Sequence, residues 1–423
     1  MPETALKPFS RPCAWALSLS TNPDDPTPSW VNLLRLGALL CFGVIVFLMT
    51  AWVLSDPAKN IRTDWIAFDT TADRLFDGEV IYRPYEKDVE SLPYLYPPYA
   101  LWLVLPLAPL GFYASFVASV SLSLGSTLAA IRLLGRLAPS GLLSTRTALV
   151  VAGTTGATIT SALIGQYSGW LALGIAASAY FTVQKRPFVA GASLALLLLK
   201  PYLLIVVLPF LVWSRSWKML RGAVVASGLV VASSLVFGLS AWSGFLGNAN
   251  SMLDLQRENG VPWEKMVTAH AGIVKWTGLE GSEAPSLLLW FVIATGMGVV
   301  VLRRWTPARF AESPLWAFGA LALFLVAANL RLYFYDGLLV AIGSLLYFLG
   351  GRPAGVRLRR LGGVSLLVAW LGLWGGVWLE LNALVPVACL GLIVAMSGET
   401  ATERTTANGS EALYGKAESV TIS

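Results

Sequence analysis

Residues 63–96 read TDWIAFDTTADRLFDGEVIYRPYEKDVESLPYLY and form the one long, acid-rich segment in a chain that is otherwise strongly apolar. Apolar residues recur at helical spacing over 65–76, and Asp69 and Asp73 follow on the polar side. Gly78 comes where such a helix would end and is the expected C-cap. The pattern predicts an amphipathic helix at a membrane surface, which would hold carboxylates over a site at the edge of the lipid.

The composition around this segment indicates a polytopic membrane protein. Of the 423 residues, 56% are hydrophobic and only 13% are charged, with a mean hydropathy of +0.66. Soluble domains carry about 25% charged residues. The net charge of +6 does not indicate a nucleic-acid partner, because the basic residues lie in short loops between apolar runs. No loop contains two of the three cysteines, so disulfides are not expected.

The chain divides by polarity into three parts. We predict a flexible cytoplasmic leader over 1–30, a transmembrane domain over 31–397 and a disordered cytoplasmic tail over 398–423. Two large outer loops interrupt the transmembrane domain, at 55–95 and 240–284. The first span would serve as an uncleaved signal anchor, since the leader lacks a cleavable signal pattern.

About twelve apolar runs could cross a hydrocarbon core of ~30 Å, although several are shorter than usual. The predicted spans are residues 31–53, 96–134, 147–163, 168–183, 187–199, 201–213, 219–239, 285–302, 314–330, 336–350, 361–379 and 381–397. Pro106 and Pro109 break the second run, which we interpret as a short helix that leads into one full crossing. A hairpin there would invert every later span.

Charge asymmetry predicts the orientation. When the loops alternate, five of them carry 15 Lys and Arg residues against one acid, Glu312, and the positive-inside rule makes that side cytoplasmic. Both termini then lie in the cytoplasm, and 16 of the 24 acidic residues fall on the opposite side. The unusual polar features therefore lie outside the cytoplasm, whereas a transporter would place them near the bilayer midplane.

Asp64 is the first candidate for chemistry. A carboxylate on an outer helix can accept the proton of an attacking hydroxyl group. The structural alternative is an acid at a helix N-terminus, where the dipole favours negative charge by about 0.3–1 kcal/mol. Asp69 is the second candidate, and its structural alternative is a solvated polar-face acid.

Two cations interrupt apolar sequence. Lys200 precedes Pro201 in the middle of 26 apolar or small residues, which predicts a hairpin of two short helices with Lys200 at its outer tip. The lysine could pair there with an acid or with a phosphate. Arg331 lies where one span ends and the next begins, and could bind a phosphate or form a salt bridge with Asp336.

Three further residues have both a structural and a functional interpretation. Tyr96 belongs to an aromatic run that suits the membrane interface or the wall of a site for a sugar or prenyl chain. Gln166, in GQYSG, lies in a tight turn, and its amide could bind a sugar hydroxyl. His270 is the only histidine; it has no HxxxH or HExxH partner and no cysteine cluster, which argues against a histidine-rich metal site.

In order and spacing, these motifs resemble glycosyltransferase family 87, the polyprenol-phosphate-mannose-dependent mannosyltransferase-like group of the GT-C superfamily. The resemblance covers about residues 60–350 and departs from the family pattern at Ser168, where Asn is usual, and at Asn329-Leu330-Arg331, where Ser-Pro is usual. The residues that carry it are Asp64, Gly78, Tyr82, Tyr96-Pro97-Pro98, Pro106-Leu107-Ala108, Gly165-Gln166, Lys200-Pro201, Arg215-Ser216-Trp217-Lys218 and Tyr335-Asp336.

The resemblance implies a GT-C-like catalytic bundle in the plasma (inner) membrane that moves one sugar, a hexose such as mannose or a pentose, with inversion outside the cytoplasm. The donor would be a polyprenyl-phosphate sugar, the acceptor a lipid or glycan, and no metal or cofactor is expected. Asp64 would be the catalytic base. The donor phosphate would bind Lys200, Arg331 and His270. The remaining substrate contacts would be Asp69, Tyr96, Gln166, Tyr335 and Asp336.

Two other functions remain open from the sequence. A membrane transporter or flippase of a lipid-linked or small polar substrate would carry inverted repeats and charges at mid-depth, and the sequence shows neither unless the Lys200 hairpin is misread. A non-catalytic membrane scaffold would tolerate alanine at each polar candidate.

Overall fold

A computed structural model gives the fold, and its regular elements are helices throughout the part of the chain that it describes. An isolated antiparallel bridge joins Met266 to Tyr333. The described residues are 65–82, 94–137, 155–248, 262–279, 284–350, 355–375 and 381–398. The predicted leader, first span, Asp64 and most of the predicted tail lie outside these ranges.

The helices follow the predicted spans closely. In chain order, the α-helices are α1 Trp65–Phe76, α2 Leu101–Val104, α3 Phe112–Gly135, α4 Gly156–Leu163, α5 Ser168–Val183, α6 Pro187–Ser193, α7 Pro201–Trp213, α8 Trp217–Ser233, α9 Ala269–Thr277, α10 Ala284–Arg304, α11 Pro307–Glu312, α12 Pro314–Ala327, α13 Leu338–Leu349, α14 Val356–Gly375 and α15 Val385–Ser397. Short 3-10 turns lie at Pro98–Ala100, Ala108–Leu110, Leu194–Leu199, Ser234–Phe237, Trp263–Lys265, Phe334–Gly337 and Leu381–Leu384.

The predicted amphipathic helix is present as α1. It buries Trp65 and Phe68 against the bundle and leaves Asp73 exposed. Gly78 ends the helix as predicted, with a φ of +71°. Its N–H donates to the carbonyl of Leu75, and the N–H of Glu79 donates to the carbonyl of Arg74, which is the Schellman arrangement that favours glycine.

The apolar run 96–134 has the predicted segmentation. Short helical turns cover Pro98–Val104 and Ala108–Leu110, and α3 begins after Gly111, whose φ is +73°. The 24 residues of α3 span ~36 Å, which exceeds the hydrocarbon core of a bilayer. This length supports one crossing rather than a hairpin.

Three described helices are long and apolar enough to cross a membrane: α3, α8 with its 3-10 extension, and α10. Helices α5 and α7 match the predicted spans 168–183 and 201–213 at both ends, although both are short. The predicted span 187–199 is present with the same bounds, as α6 followed directly by a 3-10 segment. The outer loop 240–284 also contains helical structure, including α9.

The core lies around α12, where nearly every residue is buried. Helices α13 and α15 pack against α12, and α10 packs against both α12 and α15. The buried Arg304 guanidinium donates to the carbonyls of Met396 and Gly398 and lies 4.7 Å from the centroid of the Trp316 ring. These bonds satisfy carbonyls at the C-terminus of α15 that have no partner within the helix.

Glycines allow two pairs of helices to approach closely. A Cβ atom placed on Gly169 of α5 would lie 2.1 Å from the Ser123 carbonyl oxygen of α3. One placed on Gly222 of α8 would lie 2.0 Å from the Phe188 carbonyl oxygen of α6. Small residues at such crossings bring helix backbones into contact, as is common in membrane bundles.

Candidate functional site

Residues 165–168 lead from α4 into the first residue of α5, and several of the polar candidate residues lie in or beside this segment. Gly165 adopts a φ of +74°, and a Cβ atom there would lie 3.2 Å from the Cβ of Trp65 on α1. Glycine therefore provides both the left-handed turn and the room for α1 to dock. The next residue, Gln166, is buried, and its Oε1 accepts a hydrogen bond of 2.7 Å from the Tyr96 hydroxyl.

The backbone of Gln166 is held as firmly as its side chain. Its carbonyl oxygen accepts hydrogen bonds from the hydroxyls of Ser123 at 2.9 Å and Ser161 at 3.3 Å. Tyr96 is anchored in turn, because its own carbonyl accepts from Tyr82 at 2.7 Å. The Tyr96–Gln166 pair thus occupies a fixed position at one end of the bundle.

Helix α1 packs on this end of the bundle through a cluster of aromatic side chains. The ring of Phe68 lies 4.8 Å from Tyr96, 5.0 Å from Tyr167 and 5.8 Å from Tyr94, measured between centroids. Such tilted and edge-on pairs are the preferred aromatic geometries. Tyr96 therefore belongs to the aromatic surface on which α1 packs, and its use as the wall of a site for a sugar or prenyl chain stays a prediction.

A buried ion pair contacts the same segment, residues 165–168, through Ser168. Lys200 Nζ is 2.5 Å from Asp336 Oδ2, and the Ser168 hydroxyl donates to Asp336 Oδ1 at 3.1 Å. The side chains of Lys200 and Asp336 are 11% and 0% exposed. The prediction that Lys200 could pair with an acid is confirmed, and the alternative pairing of Arg331 with Asp336 is not what the structure shows.

Tyr335 completes this cluster. Its ring lies 4.9 Å from Lys200 Nζ, within the range of a cation–π contact, and it stacks on Tyr333 at 5.5 Å with planes 12° apart. Lys200 is thus held by a carboxylate and by an aromatic face. An anion that approaches this ammonium group would share it with Asp336.

Arg331 differs from Lys200 because no carboxylate among the described residues lies within ion-pair distance of its guanidinium. Partial burial lowers the pKa of Arg331 from its usual value. Its backbone is well fixed: Arg331 N–H donates to Asn329 Oδ1 at 3.0 Å, and Leu332 O accepts from Val267 N–H at 3.0 Å. Among the residues that the structure describes, the loop therefore holds a partly desolvated cation without a neighbouring acid.

His270 is the second residue of α9, close in sequence to the segment that pairs with the Arg331 loop. It is 2% exposed, and its ring lies 5.0 Å from Trp263 and 6.2 Å from Trp290. Thr268 caps the start of α9 and also donates to the carbonyl of Leu330 at 3.3 Å. The histidine is thus packed between two indole rings, and its role with a phosphate stays a prediction.

Asp69 is the carboxylate that α1 places against the bundle. The Ser115 hydroxyl lies 3.3 Å from Asp69 Oδ1, and Trp65 Nε1 donates to the same hydroxyl at 3.2 Å. Burial raises the pKa of Asp69, with a smaller contribution from the charge of Asp73 and an opposing one from Ser115. Asp64 lies outside the described residues, so its placement relative to this group is a prediction.

Sequence reasoning misses several members of the site. The family resemblance marks Ser168 as a departure from the pattern rather than as a partner of Asp336, and no motif points to Ser115. The sequence feature that could have identified Ser168 is its position two residues after Gln166, at the start of a helix. Within the described ranges, no three His, Cys, Asp or Glu side chains form a group that could hold a metal ion.

Comparison with known proteins gives one match. The family model for glycosyltransferase family 87 matches residues 94–328, which is more than half of the chain and includes Tyr96, Gln166 and Lys200. No curated protein and no solved structure matches the chain significantly. The family match agrees with the helical fold, the apolar composition and the polar cluster at residues 165–168, and the chain belongs to glycosyltransferase family 87.

Proposed function

We propose that the protein transfers a single sugar from a polyprenyl-phosphate donor to a lipid or glycan acceptor on the outer face of the plasma membrane. The catalytic unit is a GT-C-like bundle of about twelve spans. The observation that carries the proposal is the convergence of α1, Tyr96–Gln166 and Lys200–Asp336 on residues 165–168. Residues 165–168, Tyr96 and Lys200 lie inside the range 94–328 that matches a glycosyltransferase family, whereas α1 and Asp336 lie outside it.

The proposed reaction is one displacement. The acceptor hydroxyl attacks the anomeric carbon, the bond from that carbon to the donor phosphate oxygen breaks, and the polyprenyl phosphate leaves. A carboxylate takes the hydroxyl proton, and attack from the face opposite the phosphate inverts the anomeric centre. The reaction needs a base on one side of the sugar and a cation on the other.

Asp64 is the proposed base, because the resemblance maps the catalytic acid of the first outer loop to it. It directly precedes Trp65, which packs against Gly165. Asp69 is four residues further along α1 from Trp65, and its raised pKa favours proton uptake relative to an exposed aspartate. Asp69 lies on α1, which packs at residues 165–168, and Asp64 comes directly before that helix in the sequence.

Arg331 is the better-placed cation for the leaving phosphate. Its charge has no acidic partner among the described residues, and its planar fork suits two phosphate oxygens. Lys200 would reach a phosphate only by sharing its charge with Asp336. We therefore propose that Arg331 binds the phosphate directly and that Lys200 contributes from within its ion pair, with His270 beside the same loop.

An in vitro transfer assay with a panel of polyprenyl-phosphate sugars and membrane acceptors tests the proposal. Asp64→Asn should lower turnover by about 10²–10⁴-fold, the usual contribution of a general base. Asp73→Asn is the matched control, since Asp73 is exposed on α1, and it should retain parental activity. Full turnover by Asp64→Asn would remove that residue from the mechanism and leave Asp69 as the candidate.

Two further results would refute the function itself. Transfer from nucleotide sugars but from no polyprenyl-phosphate sugar would exclude the proposed donor. Uptake of a labelled solute into vesicles without any sugar transfer would favour a transporter. The proposed orientation is tested separately, by labelling Asp64→Cys with a membrane-impermeant thiol reagent from each side.

A further inference from the structure

A groove of about 800 Å³ lies at the end of α7 that is opposite Lys200. Its floor is the apolar face of α7, including Ile205, Pro209 and Val212, and two tryptophans, Trp213 and Trp217, stand at its far end. These five side chains are exposed. The volume falls in the range of sites that bind small molecules and lipids.

The chemistry of the groove changes along its length. The α7 face is purely apolar, the tryptophan pair follows, and Arg215 lines the end between them. Lys218 and Arg221 are exposed on the first turns of α8, and that helix has no acidic residue in its first turn. An apolar wall, an aromatic pair and Arg215 line the groove, and Lys218 and Arg221 follow in the sequence. This combination suits an acyl chain, a glycerol backbone and an anionic headgroup.

Arg215 also has an unusual backbone conformation. Its φ is +54°, in the left-handed region that strains a residue with a side chain. Its N–H donates to Val212 O and the Ser216 N–H to Leu211 O, so Arg215 occupies the Schellman position where glycine is the usual residue. An arginine at such a position has a cost to the fold and offers a guanidinium at the mouth of the groove.

We propose that this groove binds one anionic glycerophospholipid, with an acyl chain along α7 and the phosphodiester on Arg215. The guanidinium fork suits two phosphate oxygens, and Lys218 and Arg221 add charge that favours an anionic over a zwitterionic headgroup. The 13 residues of α7 separate this site from Lys200 by ~20 Å. The site is therefore distinct from the proposed transfer centre and does not depend on the transferase activity.

Native mass spectrometry of the detergent-purified full-length protein tests the proposal, with titration by phosphatidylglycerol and phosphatidylcholine. The informative variant is Arg215→Gly, because glycine adopts the observed backbone without strain and the fold is preserved or stabilised. We expect parental protein to prefer phosphatidylglycerol, and Arg215→Gly to bind it about tenfold more weakly, which corresponds to about 1.4 kcal/mol.

Lys185→Gly is the matched control. Lys185 has a φ of +57° and the same pair of hydrogen bonds at the end of α5, but it does not line the groove. This variant loses one cation and one strained position, and should bind phosphatidylglycerol as the parent does. Thermal unfolding of both variants verifies that the backbone tolerates the change.

Four outcomes would overturn the proposal. Equal binding of the two phospholipids by the parent would show that the cations do not select the headgroup. Equal binding by the parent and Arg215→Gly, or equal losses in Arg215→Gly and Lys185→Gly, would remove Arg215 as a specific contact. Displacement of phosphatidylglycerol by an equimolar polyprenyl phosphate would assign the groove to the donor lipid instead.

Discussion

The ion pair between Lys200 and Asp336 can be tested by a double-mutant cycle. Asp336→Leu keeps the branched shape of the side chain but leaves Lys200 buried without its counter-charge. Lys200→Met leaves the carboxylate of Asp336, which is 0% exposed, with the Ser168 hydroxyl as a neutral hydrogen-bond donor in place of the ammonium group. The double variant Lys200→Met/Asp336→Leu removes both charges and fills the same space with apolar atoms.

The burial of both groups sets the expected magnitudes. Removal of one partner from a buried pair costs about 3–5 kcal/mol, because the other charge stays in an apolar environment. Replacement of both partners by apolar residues is often close to neutral. We therefore expect each single variant to lose about 3–5 kcal/mol of unfolding free energy, and the double variant to lie within about 1 kcal/mol of the parent.

Denaturant unfolding in detergent micelles, followed by tryptophan fluorescence, measures these differences. If the double variant loses the sum of the two single losses to within about 0.5 kcal/mol, the residues act independently and the assignment of a coupled buried pair is refuted. Sugar-transfer activity of the folded double variant then separates the roles of Lys200. Retained turnover indicates that the pair is structural, and lost turnover indicates that the lysine also acts on the donor.

Three further predictions follow from individual contacts. Gly222→Ala should destabilise the protein by about 1–3 kcal/mol, because the new methyl group overlaps a backbone oxygen of α6. Gly228→Ala on the same helix has open space around the new methyl group and should be neutral or stabilising by up to about 1 kcal/mol. Thermal unfolding distinguishes the two variants. Tyr96→Phe should lose about 1 kcal/mol with the hydrogen bond to Gln166, and a loss below about 0.3 kcal/mol would contradict that bond. Because burial raises the pKa of Asp69, its ionised form destabilises the fold as pH rises through the folded-state pKa. Asp69→Asn should therefore raise the free energy of unfolding at neutral pH, by less than about 1 kcal/mol because solvent screens the partly exposed carboxylate. This gain should vanish below pH 3.8, the ordinary pKa of an aspartate in an unfolded chain. A gain that does not depend on pH would contradict this origin.

Much of the secondary structure could be predicted because its signals are local. The apolar period of residues 65–76 and the glycine at Gly78 were sufficient to place α1 and its cap. Prolines at the starts of α6 and α7 mark their first turns, and the predicted and observed bounds of α7 agree. The 3-10 segment after α6 was not predicted, because the same leucines suit either helix type.

The candidate site was predictable as a set of residues but not as a set of contacts. Tyr96, Gln166, Lys200 and Asp336 stood out because each interrupts or borders apolar sequence. The sequence suggested Arg331 as a partner of Asp336, and it left the partner of Lys200 open between an unspecified acid and a phosphate. The structure shows that Lys200 is the partner.

The sequence by itself determined that the chain is helical, apolar enough for a membrane, and related to a glycosyltransferase family, since these follow from local composition and motif order. Only the tertiary structure decided that Lys200 meets an acid 136 residues away and that Ser168 holds the same carboxylate. The physical reason is that helix packing sets those distances. A glycine at 165 or 169 permits the approach, but the direction in which each helix presents its polar side chains emerges only when the bundle is assembled.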